Sequence, residues 1–152
     1  MTKKMTNCPS DGVKIPEATV EDSRIKKHQH RTLRQLPLYR DMSNLKYYVV
    51  RIYDGLPRKY TKYIDAVLNT VCEAKKCVGL SEASRNPDER ASYLTMARAF
   101  VEDVQDDITI LRKLNQIDGD TEKKMKSLAR GIVAQCVAWR DYENRQGASG
   151  ID

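Results

Sequence analysis

The residues best suited to chemistry in this sequence are cations that occur near tyrosines, in two clusters. The first cluster surrounds a predicted turn and comprises Arg51, Arg58, Lys59 and Lys62. The second opens a predicted helix and comprises Lys123, Lys124, Lys126 and Arg130. The tyrosines near the first cluster are Tyr47, Tyr48, Tyr53, Tyr60 and Tyr63. Because cations contact phosphates and aromatic rings stack on bases, the pattern favours nucleic-acid binding.

Two considerations bear on this interpretation. Cations at the start of a helix oppose the helix dipole, so the second cluster is predicted to be retained for a partner. Lysines that merely solvate a helix face would give a similar pattern, and the sequence leaves that alternative open.

Residues for catalysis or metal binding are scarce. His28 and His30 could bind a metal ion, but the cationic residues around them oppose it. No glycine-rich phosphate loop and no serine-nucleophile motif is present. Cys72 and Cys136 lie on apolar stripes and are predicted to be buried and unreactive. The sequence therefore predicts a protein that is not an enzyme, with no catalytic residue, cofactor or metal.

An acidic cluster lies on the third predicted helix, where Asp103, Asp106 and Asp107 recur at steps of three and four. An acidic binding site is one interpretation. A solvated face or an interface between subunits is the interpretation that the pattern favours.

Apolar residues recur at steps of three and four in four segments after Leu36, which predicts four amphipathic helices. They run from about Pro37 to Asp54, from about Lys59 to Val78, from Pro87 to about Leu111 and from just after Gly119-Asp120 to about Tyr142. Gly55 is predicted to end the first helix in the left-handed conformation, and Gly79 to end the second. Because short links favour antiparallel neighbours, the predicted fold is all-α: an antiparallel up-down-up-down four-helix bundle with a flexible basic N-terminal arm.

Composition and charge divide the chain into three parts. The chain has 152 residues and a formal net charge of +6, which suits one domain. Residues 1–36 contain eight basic and four acidic residues and are predicted to form the flexible arm, followed by the bundle at 37–146 and a disordered tail at 147–152. With no apolar run of membrane-spanning length and no secretory signal, a cytoplasmic protein with reduced cysteines is predicted.

Three segments together resemble a known family. They are Leu36-Pro37-Leu38-Tyr39, the turn from Gly55-Leu56-Pro57-Arg58-Lys59 to Tyr63, and the helical segment from Gly131-Ile132-Val133 to Trp139-Arg140. The chain resembles, from about Leu36 to Gln146, the small bacterial four-helix proteins that include the accessory variability determinant (Avd) of diversity-generating retroelements. Proteins encoded in ribosomal RNA intervening sequences are a second branch of that family.

The resemblance implies a four-helix protomer that assembles into a homopentamer with a basic surface for RNA or DNA. For the retroelement branch it implies a complex with the element's reverse transcriptase and template RNA, which performs mutagenic cDNA synthesis. Arg58 and Lys59 match the turn motif, and Arg112 matches a late position of the third helix where the family tends to be basic. One turn earlier, Asp107 and Ile108 stand where the family often has a second basic residue. Trp139 is expected at a bundle or subunit interface, and Gly131 at a close helix approach.

Two functional hypotheses from different classes remain at this point. The first is an accessory subunit that binds RNA and the reverse transcriptase. The second is an oligomeric protein–protein adaptor of the intervening-sequence type, in which the apolar stripes and the acidic cluster form interfaces.

Overall fold

The computed structural model describes residues 36–151, with side chains up to Ala148, and this part of the chain consists of helices and short connections, without strands. Four α-helices follow one another: α1 (Pro37–Gly55), α2 (Thr61–Ala83), α3 (Pro87–Lys113) and α4 (Gly119–Ile151). A short 3₁₀ helix, Arg58–Tyr60, joins α1 to α2. The all-helical prediction is therefore confirmed. The predicted arm, with His28, His30 and Cys8, lies outside the described residues.

Local sequence explains where the helices begin. Pro37 and Pro87 occupy first-turn positions of α1 and α3, where the missing N–H has no helical acceptor. The Asn86 side chain accepts hydrogen bonds from the backbone N–H groups of Asp88 (2.7 Å) and Glu89 (3.3 Å). Asp118 caps α4 in the same way, with its Oδ1 accepting the Thr121 N–H at 2.8 Å.

Neither α1 nor α3 ends in a left-handed glycine. The predicted end of α1 at Gly55 is confirmed, but no described glycine has a positive φ, so the predicted left-handed conformation of Gly55 is wrong. Leu56 is extended (φ −84°, ψ 144°), because the ring of the following Pro57 disfavours the helical conformation there. At the end of α3, Asn115 has a φ of 60°, and the Gln116 N–H donates to the Leu111 carbonyl at 2.9 Å. This is a Schellman motif with asparagine in the left-handed position.

Two helices extend further than the sequence indicates. Gly79 lies inside α2, which continues to Ala83, so its prediction as a stop is wrong. The added turn is held by Ser81, which is buried and donates its hydroxyl to the Arg90 carbonyl at 3.1 Å. The last helix, α4, runs to Ile151, where the sequence predicts a disordered tail from residue 147. A Cβ added at Gly147 would lie 2.7 Å from Asp88 Oδ1, so this glycine lets α4 pass close to the start of α3.

The core consists of the predicted apolar stripes with few exceptions. Met42, Leu45 and Val49 of α1 are buried. So are the six apolar residues of α3 that recur at steps of three and four, namely Leu94, Ala97, Val101, Val104, Ile108 and Leu111. Cys72, which is predicted to be buried, is only half-buried. Cys77, five residues further along α2, is buried in the core. Gly131 has nothing within 4 Å of an added Cβ, so it does not mark a close helix approach.

Contacts between elements connect α1 to α2, α2 to α3, α3 to α4 and α4 back to α1. The start of α3 meets the end of α4, where Arg90 pairs with Glu143 at 3.0 Å. The end of α3 meets the start of α4, where Arg112 pairs with Glu122 at 3.5 Å. We call the first region, with residues 84–86 between α2 and α3, the link end. We call the second, with the 3₁₀ helix and the loop before α4, the turn end.

Candidate nucleic-acid interface

The two predicted basic clusters meet in part, along an open cleft between α1 and α4 near the turn end. Tyr47 and Tyr48 of α1 face Lys123 and Lys124 of α4 across a depression of about 650 Å³. The depression continues toward the turn end, where Arg51 and Lys124 line it together. We call these five residues the α1–α4 cleft. The sequence analysis did not identify the remaining lining residues, which include Asn44, Ser127 and Leu128 beside Tyr47 and Asp118 and Thr121 beside Arg51.

Helical periodicity explains how the cleft is built. Met42, Leu45 and Val49 turn one face of α1 into the core, so the tyrosines and Arg51 lie outside that stripe. On α4, Met125 and Ala129 are buried and the two lysines before Met125 are exposed. The spacing from Lys123 to Ser127 could have identified the additional α4 residue, because side chains four apart share a helix face.

Tyr47 is the most exposed large hydrophobic residue of the described chain, with 57% of its surface accessible. The guanidinium carbon of Arg51 lies 5.7 Å from the centroid of its ring. The Tyr48 ring meets it edge to face, with centroids 6.2 Å apart. Both contacts are favourable geometries for an aromatic ring, so Tyr47 is held in place while much of its surface stays accessible.

The cations at the start of α4 differ from one another in their partners. Lys124 pairs with Asp120 at 3.2 Å and Lys126 with Glu122 at 3.2 Å, each four residues apart. These acids lie in the first turn, where they complement the helix dipole. The inference that the cluster is locally unfavourable is therefore wrong, because the acids compensate two of its cations.

Lys123 and Arg130 make no ion pair among the described residues. They line a second shallow depression together with Lys126, Asp120 and Glu122, and Lys123 borders both depressions. The basic surface thus extends from the α1–α4 cleft along α4 to Arg130.

The basic turn is separate from the cleft. Arg58 and Lys59 lie in the 3₁₀ helix, Lys62 opens α2, and all three side chains are exposed. The Lys59 ammonium lies 5.2 Å from the centroid of the Tyr60 ring. None of the three lines the cleft. Arg112 differs from these three residues because it forms an ion pair with Glu122. This ion pair joins two different helices, α3 and α4.

The acidic cluster of α3 contacts α2. The Tyr63 hydroxyl donates a hydrogen bond to Asp107 Oδ1 at 2.6 Å. Burial raises the pKa of Tyr63, and the hydrogen bond to Asp107 raises it further. Burial also raises the pKa of Asp107, as do the charges of Asp103 and Asp106, while the bond from Tyr63 lowers it. Asp107 therefore holds α3 against α2, whereas Asp103 and Asp106 are exposed.

The link end contains a polar cluster that the sequence analysis did not identify. Glu143 is only 4% exposed, and its carboxylate pairs with Arg90 and accepts the Trp139 indole N–H at 2.9 Å. Arg90 also donates to the Ser84 carbonyl at 2.7 Å. Trp139 is half-buried in this cluster, so it contributes to packing within the protomer.

The buried thiols of Cys77 and Cys136 are shielded rather than activated. Burial raises the pKa of Cys136 to about 12 and raises that of Cys77 as well. Among residues 36–148, no three side chains of the metal-binding types come together in an arrangement that could hold an ion. No helix in the described part of the chain is both long and apolar enough to cross a bilayer.

Compared with known protein families and with curated proteins, the chain matches none of them.

Proposed function

We propose that this chain is a non-catalytic accessory subunit of the Avd type, which binds template RNA or cDNA and supports a retroelement reverse transcriptase. The observation that carries the nucleic-acid part is the α1–α4 cleft, where Arg51, Lys123 and Lys124 converge from two helices beside two tyrosines. The reverse transcriptase as partner is supported by the sequence resemblance alone.

The proposed scaffold is the antiparallel up-down-up-down bundle in a cytoplasmic homopentamer. Arg90 near the start of α3 pairs with Glu143 near the end of α4, and Arg112 near the end of α3 pairs with Glu122 near the start of α4. The hydrogen bond from Tyr63 to Asp107 joins the start of α2 to the second half of α3. These contacts support antiparallel neighbours. In a ring, the cleft of each copy would add its charge, so affinity would depend steeply on salt.

The electrostatics of individual cations indicate which ones are available to phosphate. Arg58, Lys62, Lys123 and Arg130 have no ion-pair partner within residues 36–148. Lys124 is paired, but the pair with Asp120 is exposed and such pairs contribute about 0–1 kcal/mol, so a phosphate can replace the carboxylate. Arg112 and Lys126 share Glu122 and are the weakest candidates of the nine.

The test is retention of RNA on a filter across a salt series, with two triple variants. The cleft variant carries Arg51→Glu, Lys123→Glu and Lys124→Glu. The turn variant carries Arg58→Glu, Lys59→Glu and Lys62→Glu. We expect the cleft variant to lose RNA retention. Loss of retention by the turn variant would show that the 3₁₀ helix belongs to the same binding surface. Each lost phosphate contact should reduce the slope of log K against log salt by about 0.7 for single strands.

A matched control changes the same amount of charge at and toward the link end, with Lys76→Glu in the second half of α2, Arg85→Glu and Arg145→Glu. Retention by this variant shows that position, and not net charge, determines binding. Circular dichroism of all three variants checks that the helices persist. If the wild-type chain binds no RNA at low salt, the nucleic-acid part of the proposal is wrong.

The alternative is the oligomeric protein–protein adaptor of the intervening-sequence type. It is favoured by exposed apolar residues on α1, where Val50 and Tyr53 are three residues apart and 43% and 38% exposed. An adaptor would form a defined oligomer and capture its partner equally with and without nuclease. Light scattering and a nuclease-treated pull-down with the candidate reverse transcriptase separate the two functions.

A further inference from the structure

We propose that the α1–α4 cleft binds single-stranded nucleic acid by stacking a base on the ring of Tyr47, with Lys123 and Lys124 holding the adjacent phosphate. This inference rests on the proposed function, because it specifies the form of the nucleic acid and the residue that contacts the base. It predicts a preference for single strands over duplexes at the same salt concentration.

The ring of Tyr47 is suited to stacking because it is both accessible and oriented. More than half of its surface is exposed, yet Arg51 and Tyr48 contact it at 5.7 and 6.2 Å between centres. A side chain that is already oriented loses little rotamer freedom when a base stacks on it. Base–aromatic stacking tolerates any sequence, since every base has a π face.

The surroundings of Tyr47 favour a polyanion over another protein surface. Beside Tyr47 the lining residues are polar, apolar or cationic, and no carboxylate among the described residues lines this part, whereas Asp118 lines the part beside Arg51. Lys123 has no ion pair within residues 36–148, and the pair of Lys124 is exposed on both sides. An adjacent aromatic ring and ammonium groups match the alternation of base and phosphate along a single strand.

A duplex fits this cleft less well. Its bases are stacked on one another, so their faces are not available to Tyr47 without unstacking. The cleft offers a duplex only phosphate contacts, and these come from three cations, of which one is paired. A duplex should therefore bind with the affinity of the charges alone and should not respond to removal of the ring.

The experiment uses the full chain and a single-stranded RNA of about 12 nucleotides with a central 2-aminopurine, whose fluorescence is quenched on stacking. The variants are Tyr47→Leu, which removes the ring, and Tyr47→Phe, which keeps it. Tyr142→Leu is the matched control, because Tyr142 is 49% exposed on α4 but does not line the cleft. The same RNA paired with its complement measures duplex binding.

We expect Tyr47→Leu to bind the single strand about tenfold more weakly and to lose the quenching, while Tyr47→Phe and Tyr142→Leu keep both. Duplex binding should be equal for all four proteins. Unchanged single-strand binding by Tyr47→Leu, or an equal loss for the duplex, would overturn the stacking inference and leave the proposed function standing. A changed mass in light scattering would assign Tyr47 to a protein interface and overturn it too. Absence of any binding by the wild-type chain would overturn both.

Discussion

At the link end, Arg90 contacts a buried carboxylate and a backbone carbonyl, whereas toward the turn end the exposed Lys123 and Arg130 make no ion pair within residues 36–148. The cationic residues compared lie on α3 at the link end and on α4 toward the turn end. They differ in whether the charge is neutralised inside the protomer. The comparison shows that the position and pairing of a cation, and not its count in the sequence, indicate which one is available to a partner.

Differences in burial explain why the link end contributes to stability and the turn end is suited to binding a partner. Glu143 at 4% exposure would be costly to leave as an isolated charge, so the link end depends on Arg90 for stability. Charges at the turn end are solvated, so their loss changes binding more than folding. The proposed site lies where cations can be altered without unfolding the bundle.

Among variants that test this contrast, Arg90→Met is expected to change the free energy of unfolding most. It leaves the Glu143 carboxylate buried with only the Trp139 N–H as partner, and should lower the free energy of unfolding by about 3 kcal/mol. Urea denaturation measures the change. Arg112→Met is the matched variant at the turn end, where Arg112 is exposed and Glu122 keeps Lys126 as a partner, and should cost less than about 1 kcal/mol.

Replacing both partners at the link end provides a further check. Arg90→Met combined with Glu143→Leu removes the uncompensated charge and should recover most of the stability. Equal losses for Arg90→Met and Arg112→Met would contradict the contrast between the two ends.

The next effect concerns Tyr63→Phe at the turn end. The variant loses the hydrogen bond to Asp107 and should be less stable by about 1.5 kcal/mol at neutral pH. In the wild type, the pKa of Tyr63 is raised above its ordinary value of about 10, so the folded state keeps a proton that the unfolded chain releases. The free energy of unfolding therefore falls as the pH rises above 10.

Urea denaturation between neutral and alkaline pH tests this prediction. Tyr63→Phe should show a shallower fall above pH 10 than the wild type, and Tyr142→Phe should follow the wild type. An equally steep fall for Tyr63→Phe would show that another group causes the alkaline loss.

Local signals predicted much of the fold, and tertiary contacts account for the rest. The proline positions and the Asn86 cap are local, so the starts of α1 and α3 were predictable. The stop at Gly79 and the disordered tail from residue 147 were predicted wrongly, because local sequence does not reveal that Ser81 or Asp88 packs beside the continuing helix. The site was predictable only as two clusters, since their meeting in one cleft depends on how α1 packs against α4.

A smaller effect is expected for Asn86→Ala at the link end. The variant removes the acceptor for the Asp88 and Glu89 N–H groups and should cost about 1 kcal/mol of stability. Asn86→Asp keeps an acceptor at this position and is the control. If the alanine variant were as stable as the aspartate variant, the cap would not contribute to the link end.

The smallest effect at neutral pH is expected for Asp118→Asn, the corresponding cap at the turn end. The amide oxygen can still accept the Thr121 N–H, so stability near pH 7 should change less than in Asn86→Ala. At acidic pH, the stability of the wild type should change with pH differently from that of Asp118→Asn. The Thr121 hydrogen bond lowers the pKa of Asp118 below its ordinary value, so the cap's contribution is complete above that value and is lost as the pH falls through the lowered pKa. The difference between wild type and variant in urea denaturation should therefore change below about pH 4, and a constant difference would mean that the Asp118 charge does not stabilise α4.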